Sequence, residues 1–167
     1  SDESDEQDEH WAERQFIVRV FVPLCGLDGL RYLKPQVPFE DSRKIRRRID
    51  FVLEGERRYA LEIEGKCHAQ PNRHDLETFR RRELIQAGFH YFPMSWGDVE
   101  TGEAETALRS LIEQDALLRP LLEPTAATDF LALAWLLVAL PKHYPDAQRT
   151  ALALLARASE RGLTRLT

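Results

Sequence analysis

Residues 48–64 read RIDFVLEGERRYALEIE, two runs of alternating apolar and charged residues around a glycine. Side chains on a strand alternate faces, so this pattern predicts two half-buried strands joined as an antiparallel hairpin. On the second strand Leu61 and Ile63 face one way and Glu62 and Glu64 the other. Lys66 follows on the acidic side if the backbone stays extended. Asp50 sits on the first strand between Ile49 and Phe51. A connection with an odd number of residues, three or five, sets Asp50 opposite Glu62 and Arg48 opposite Glu64. An even connection shifts the pairing by one and turns Asp50 to the other face. The chemistry of the segment therefore depends on the turn around Gly55.

Opposed like charges destabilise a sheet. They are tolerated when one acid is protonated, when a guanidinium or ammonium compensates, or when a divalent cation binds. Carboxylate oxygen is the donor that Mg²⁺ and Mn²⁺ prefer.

The remaining elements follow from spacing and breakers. A helix is expected over residues 11–24, with Trp11, Phe16, Val20 and Leu24 near helical spacing and Pro23 at its end. Residues 32–40 contain Pro35 and Pro38, which restricts them to an edge strand or an extended loop. A helix is expected over residues 75–87, with Leu76, Phe79, Leu84 and Ile85 on one side and Gly88 as its stop. A short strand, 89–94, comes next. Three further helices are expected over 103–118, 128–140 and 146–161, with prolines in the links. The order α-β-β-β-α-β followed by helices predicts a mixed α/β core (11–100) and a C-terminal helical annex (101–167). Residues 1–10 hold six acids and no apolar residue, and read as an acidic, flexible linker.

Charge is unevenly placed. The net charge is −5, yet residues 11–100 carry 16 Lys and Arg against 14 Asp and Glu. The basic residues cluster as Arg43-Lys44-Arg46-Arg47-Arg48, Arg57-Arg58 and Arg80-Arg81-Arg82. An acidic overall balance thus does not exclude nucleic acid. No apolar run reaches the ~18 residues of a membrane span, so no membrane partner is expected. The two cysteines, Cys25 and Cys67, suit neither a Cys-rich zinc site nor a disulfide framework. A reducing, cytoplasmic setting is expected. No P-loop, GxGxxG or GxSxG is present.

Asp50 in a RIDF run, then YALEIEGKCH, then Arg80 and Leu84 ahead of Ala87-Gly88 and a last strand, resembles the PD-(D/E)xK nuclease superfamily. Within it the pattern is most similar to the very-short-patch-repair-endonuclease-like branch. The likeness spans about residues 11–100. It implies a mixed α+β sandwich with a restriction-endonuclease-like αβββαβ core. It also implies a Mg²⁺- or Mn²⁺-dependent phosphodiesterase acting on DNA in repair or defence.

Two ligand sets are compatible with the resemblance. One is Asp50, Glu64 and Lys66 as a literal D…ExK; the other is Asp50, Glu62 and Glu64, with Glu64 at the lysine position. Hairpin pairing favours the second, with Lys66 as an electrostatic helper. The resemblance further implies that Glu13 on the first helix supports the metal or its waters. Arg46, Arg47, Arg48, His68 and Arg80 are the expected nucleic-acid contacts. A helicase or other DNA-processing domain is compatible as a fused or partnered unit. The alternative is a catalytically inactive nucleic-acid-binding or protein-docking module on the same fold.

Overall fold

A computed structural model of the chain describes residues 11–64 and 73–123. The expected linker, Lys66, Cys67, His68 and the helices expected over 128–140 and 146–161 lie outside the described residues.

Helix α1 spans residues 11–25, with a wide π-helical stretch at Ile17–Phe21. That wide turn precedes Pro23, whose ring and missing N–H would otherwise disrupt a regular α-helical ladder. A 3-10 turn, Leu27–Tyr32, leads into β1, Leu33–Glu40. Strands β2, Arg46–Glu54, and β3, Arg58–Glu64, form the expected hairpin. Helix α2, Arg73–Gln86, then leads to β4, His90–Ser95. Two helices follow, α3, Trp96–Thr101, and α4, Glu103–Glu113, and a 3-10 turn at Arg119–Leu122.

The four strands form one mixed sheet in the order β1-β2-β3-β4. The first two neighbouring pairs are antiparallel and β3–β4 is parallel. The fold is therefore a mixed α/β one. Both proline-bearing strands, β1 and β4, occupy the edges, where a missing N–H costs no ladder bond. Pro93 stays inside β4 for this reason, and the strand runs one residue past the expected end at Met94.

One face of the sheet packs on α1. Phe51, Leu53, Leu61, Ile63 and Met94 join Phe16, Ile17, Val20 and Phe21 in the main core, and the Phe16 and Phe51 rings lie 5.5 Å apart. Ala104, Leu108, Ile112, Leu118 and Leu121 belong to this same cluster. The first expected helix of the annex thus shares its core with the sheet. The other face carries a smaller cluster of Phe39, Ile49, Val52, Ala60, Leu84 and Phe89, which α2 covers through Leu84.

Helix α2 corrects the expected apolar side. Leu84 is buried, but Leu76 and Ile85 are more than half exposed. The helix docks mainly through polar groups: Glu83 accepts from the Ser42 N–H and hydroxyl, both at 2.7 Å. Phe79 lies under the Arg43 and Arg47 guanidiniums, at 4.6 and 5.8 Å.

Asp115 fixes the hairpin turn. Its carboxylate accepts from the Glu56 N–H, from the Tyr59 hydroxyl at 2.7 Å, and from the N–H groups of Leu117 and Leu118. Burial raises its pKa, but these bonds outweigh burial and hold the carboxyl below its ordinary value. Gly55 makes the approach possible, since a Cβ there would lie 2.4 Å from Asp115 Oδ2.

Asp115→Ala leaves several buried donors without an acceptor and is expected to cost about 3 kcal/mol of folding stability. Gly55→Ala, which drives a methyl into the same carboxylate, is expected to cost about 2 kcal/mol. Urea midpoints at unchanged slope measure both.

Candidate active site

The β2–β3 ladder pairs Glu54 with Arg58, Leu53 with Tyr59, Val52 with Ala60 and Phe51 with Leu61. Its connection is the three residues Gly55, Glu56 and Arg57, so the register is the odd one. The ladder ends at Phe51–Leu61, one position short of Asp50 and Glu62. There the Asp50 side chain takes over, and its Oδ2 accepts from the Ile63 N–H at 2.9 Å.

The sheet changes facing at this level. Phe51 and Leu53 enter the α1-side core and Val52 the α2-side core, as alternation demands. Ile49, two residues before Phe51, joins the α2-side cluster instead. On β1, Leu33 enters the α1-side core, while Phe39 and Val37 pack in the other. Both strands therefore turn over at one rung, that of Gln36 and Asp50. Gln36 has φ 51°, the left-handed region that a residue with a side chain seldom adopts. Side chains of this rung leave the regular alternation. Gln36 Nε2 donates to Glu13 Oε2 at 3.0 Å, and Glu13 is itself 1% exposed.

Glu62 is buried on β3, 7% exposed. Arg80 on α2 reaches it with Nε, 2.9 Å from Oε1, and with Nη2. The same Nη2 donates to the Arg48 carbonyl at 2.7 Å. Burial, and then the negative charge of Asp50, push the Glu62 carboxyl up to about 8 against the pull of Arg80. Asp50 is near enough to share a hydrogen bond with Glu62 when Glu62 is protonated. The buried Glu62 thus has one guanidinium on it and a second carboxylate, the half-buried Asp50, beside it. The excess negative charge must be neutralised by a proton or by another cation.

Tyr91 on β4, opposite Ala60, borders the same place. Burial, and then the charges of Glu62 and Glu64, push its phenol up to about 12. It remains a hydroxyl across the physiological range, able to donate near the carboxylates. Reading the hairpin by itself missed Tyr91 and Gln36. Tyr91 arrives by a parallel crossover that local alternation does not encode. Gln36 is placed by a strand reversal that no residue type announces.

The structure thus brings Asp50, Glu62 and Arg80 together, with Glu64 half-buried at the end of β3. Glu13 is buried next to Gln36. Among the described residues, no group of three or more His, Cys, Asp or Glu could hold a metal ion; the carboxylates that face each other are a pair. A pair is compatible with Mg²⁺, which keeps several waters and takes one or two carboxylates together with substrate phosphate oxygens. The surplus charge at Asp50 and Glu62, and their oxygen donors, fit a hard divalent cation. No helix among the described residues is long and apolar enough to cross a membrane.

The raised Glu62 carboxyl sets a pH dependence. An ordinary value of 4.5 applies in the unfolded chain, and about 8 in the folded one. Between these values the folded chain binds the extra proton, so stability falls as pH rises from about 4.5 through about 8. Glu62→Gln is expected to remove this decline and to be the more stable variant at pH 9. Urea midpoints of both chains at pH 5, 7 and 9 measure it; parallel curves would refute it.

Set against protein-family models, curated proteins and solved structures, the chain matches no family model, no curated protein and no solved structure.

Proposed function

We propose that this chain is a metal-dependent nuclease domain that hydrolyses DNA phosphodiester bonds, with Asp50 and Glu62 as the ligands of Mg²⁺ or Mn²⁺. The observation that carries this reading is the pair of carboxylates at the end of the β2–β3 ladder, Asp50 aimed by the Ile63 N–H and Glu62 held by Arg80. A divalent ion bound there would polarise the phosphodiester and supply an activated water. The chain's own groups do the rest. Asp50 is aimed by its bond from the Ile63 N–H, which fixes one carboxylate oxygen and leaves the other to a ligand. Arg80 neutralises Glu62 and ties α2 to the Arg48 carbonyl, so the carboxylate is held in place before substrate arrives. Glu64 is a further ligand or occupies the lysine position. Glu13, through Gln36, borders the Asp50 rung and supports the ion or its waters. Lys66 and His68, in the connection after β3, complete the proposed set as an electrostatic helper and a phosphate contact.

A second reading has one observation in its favour. Arg80 already gives Glu62 an internal cation, and a sheet neutralised in this way suits a DNA-binding or docking module without chemistry.

Nicking or cutting of plasmid and linear DNA with Mn²⁺, and its loss in EDTA, separates the two. Asp50→Ala is expected to lower cleavage at least ~1,000-fold while DNA binding is kept or tightened, since an acid has been removed from the site. Calorimetry is expected to show Mn²⁺ uptake by the native chain, weaker at pH 6 than at pH 8.5 because binding displaces the Glu62 proton. Cleavage that persists in EDTA, or a native chain that takes up no Mn²⁺, would overturn the nuclease reading.

A further inference from the structure

An open groove is lined by Gln36, Pro38, Arg46, Arg47 and Arg48. Its three arginines are not equivalent. Arg47 is committed to the fold: its Nε lies 2.8 Å from Oδ2 of the buried Asp41, and its guanidinium covers Phe79. Asp41 in turn holds the N–H groups of Arg43 and Ile45, so this ion pair shapes the turn before β2. Arg46 and Arg48 are exposed and have no acidic partner among the described residues. Two apart on one strand, they project from the same side, roughly 7 Å from one another along the chain. Arg48 is also two residues from Asp50, and its carbonyl is the one that Arg80 grips.

Two unpaired guanidiniums in an open groove form a receptor for repeated anions. Among the described residues no aromatic ring lines the groove, so these offer phosphate contacts and no platform for stacking bases. We propose that this groove holds the sugar-phosphate backbone of the DNA, with Arg46 and Arg48 on successive phosphates and independently of base sequence. It rests on the nuclease reading only for the identity of the polyanion as DNA.

The test is binding of the whole chain to fluorescent DNA in EDTA, where no metal-dependent cleavage intervenes, over a series of salt concentrations. Each phosphate contact adds about 0.9 to the slope of log affinity against log salt for a duplex and about 0.7 for a single strand. Arg46→Ala/Arg48→Ala is expected to flatten the slope by about 1.8 on duplex DNA, or about 1.4 on a single strand. The size of the change therefore tells which backbone is held. Arg46→Lys/Arg48→Lys, which keeps both charges, is expected to restore most of the slope. Scrambling the DNA sequence is expected to change native affinity less than threefold. A native chain that does not bind, or a double alanine variant with the native slope, overturns the groove. A chain that binds with the expected slopes yet never cuts with Mn²⁺ overturns the nuclease reading and leaves the groove standing.

Discussion

Where the central hairpin of the sheet stops pairing, the buried Glu62 meets the half-buried Asp50 and the guanidinium of Arg80. The imbalance is the constraint around which the rest is arranged. Burial and Asp50 both disfavour an ionised Glu62, and Arg80 compensates only in part. A fold selected for stability alone would place an apolar pair at Asp50 and Glu62, because buried ionic groups seldom outperform hydrophobic ones of similar size. That the strands end here on acids means that the sheet carries a cost, which a proton on Glu62 relieves at low pH.

The geometry that brings the acids together comes from a break in the strands. A regular hairpin would continue through Asp50 and Glu62 with backbone bonds. Instead β1 and β2 turn over at the Gln36–Asp50 rung, and the Asp50 carboxylate accepts the bond from Ile63 that a ladder carbonyl would have accepted. One oxygen thus does structural work and holds the other in place. The same reversal directs Gln36 to Glu13, tying the first helix to the rung. The left-handed Gln36 is the strained residue of this device, and strain of this kind collects where side chains must be aimed.

Much of this was legible in the sequence, for a specific reason. The odd parity of the Gly55, Glu56 and Arg57 connection, which brings Asp50 to the level of Glu62, is legible; the break in alternation at Asp50 is not. Edge placement of β1 follows from its prolines. What was not legible depends on contacts far apart in the chain. Asp115 reads as a surface acid at a helix end, yet it is the acceptor that closes the hairpin turn, and only Gly55, by lacking a side chain, hints at a close approach. Leu76 and Ile85 fit an apolar stripe on paper. They are exposed because α2 binds the sheet through Glu83 and Arg80, and a helix held by charged groups need not bury every apolar residue it carries. Tyr91 reaches the acids through a parallel pairing that crosses a whole helix.

Sorting the charged residues by what they already hold gives the sharpest account of the surface. Asp41 uses Arg47, Glu83 uses Ser42, and Asp115 uses the hairpin turn. These acids and their partners are satisfied inside the fold, so they contribute little field outside it. Arg46 and Arg48, by contrast, have no acidic partner among the described residues, and Glu62, though paired with Arg80, still meets the negative charge of Asp50. A polyanion approaching the Asp50–Glu62 pair is repelled by its negative charge. On the nuclease reading, a divalent cation between phosphate and carboxylate would turn that repulsion into attraction.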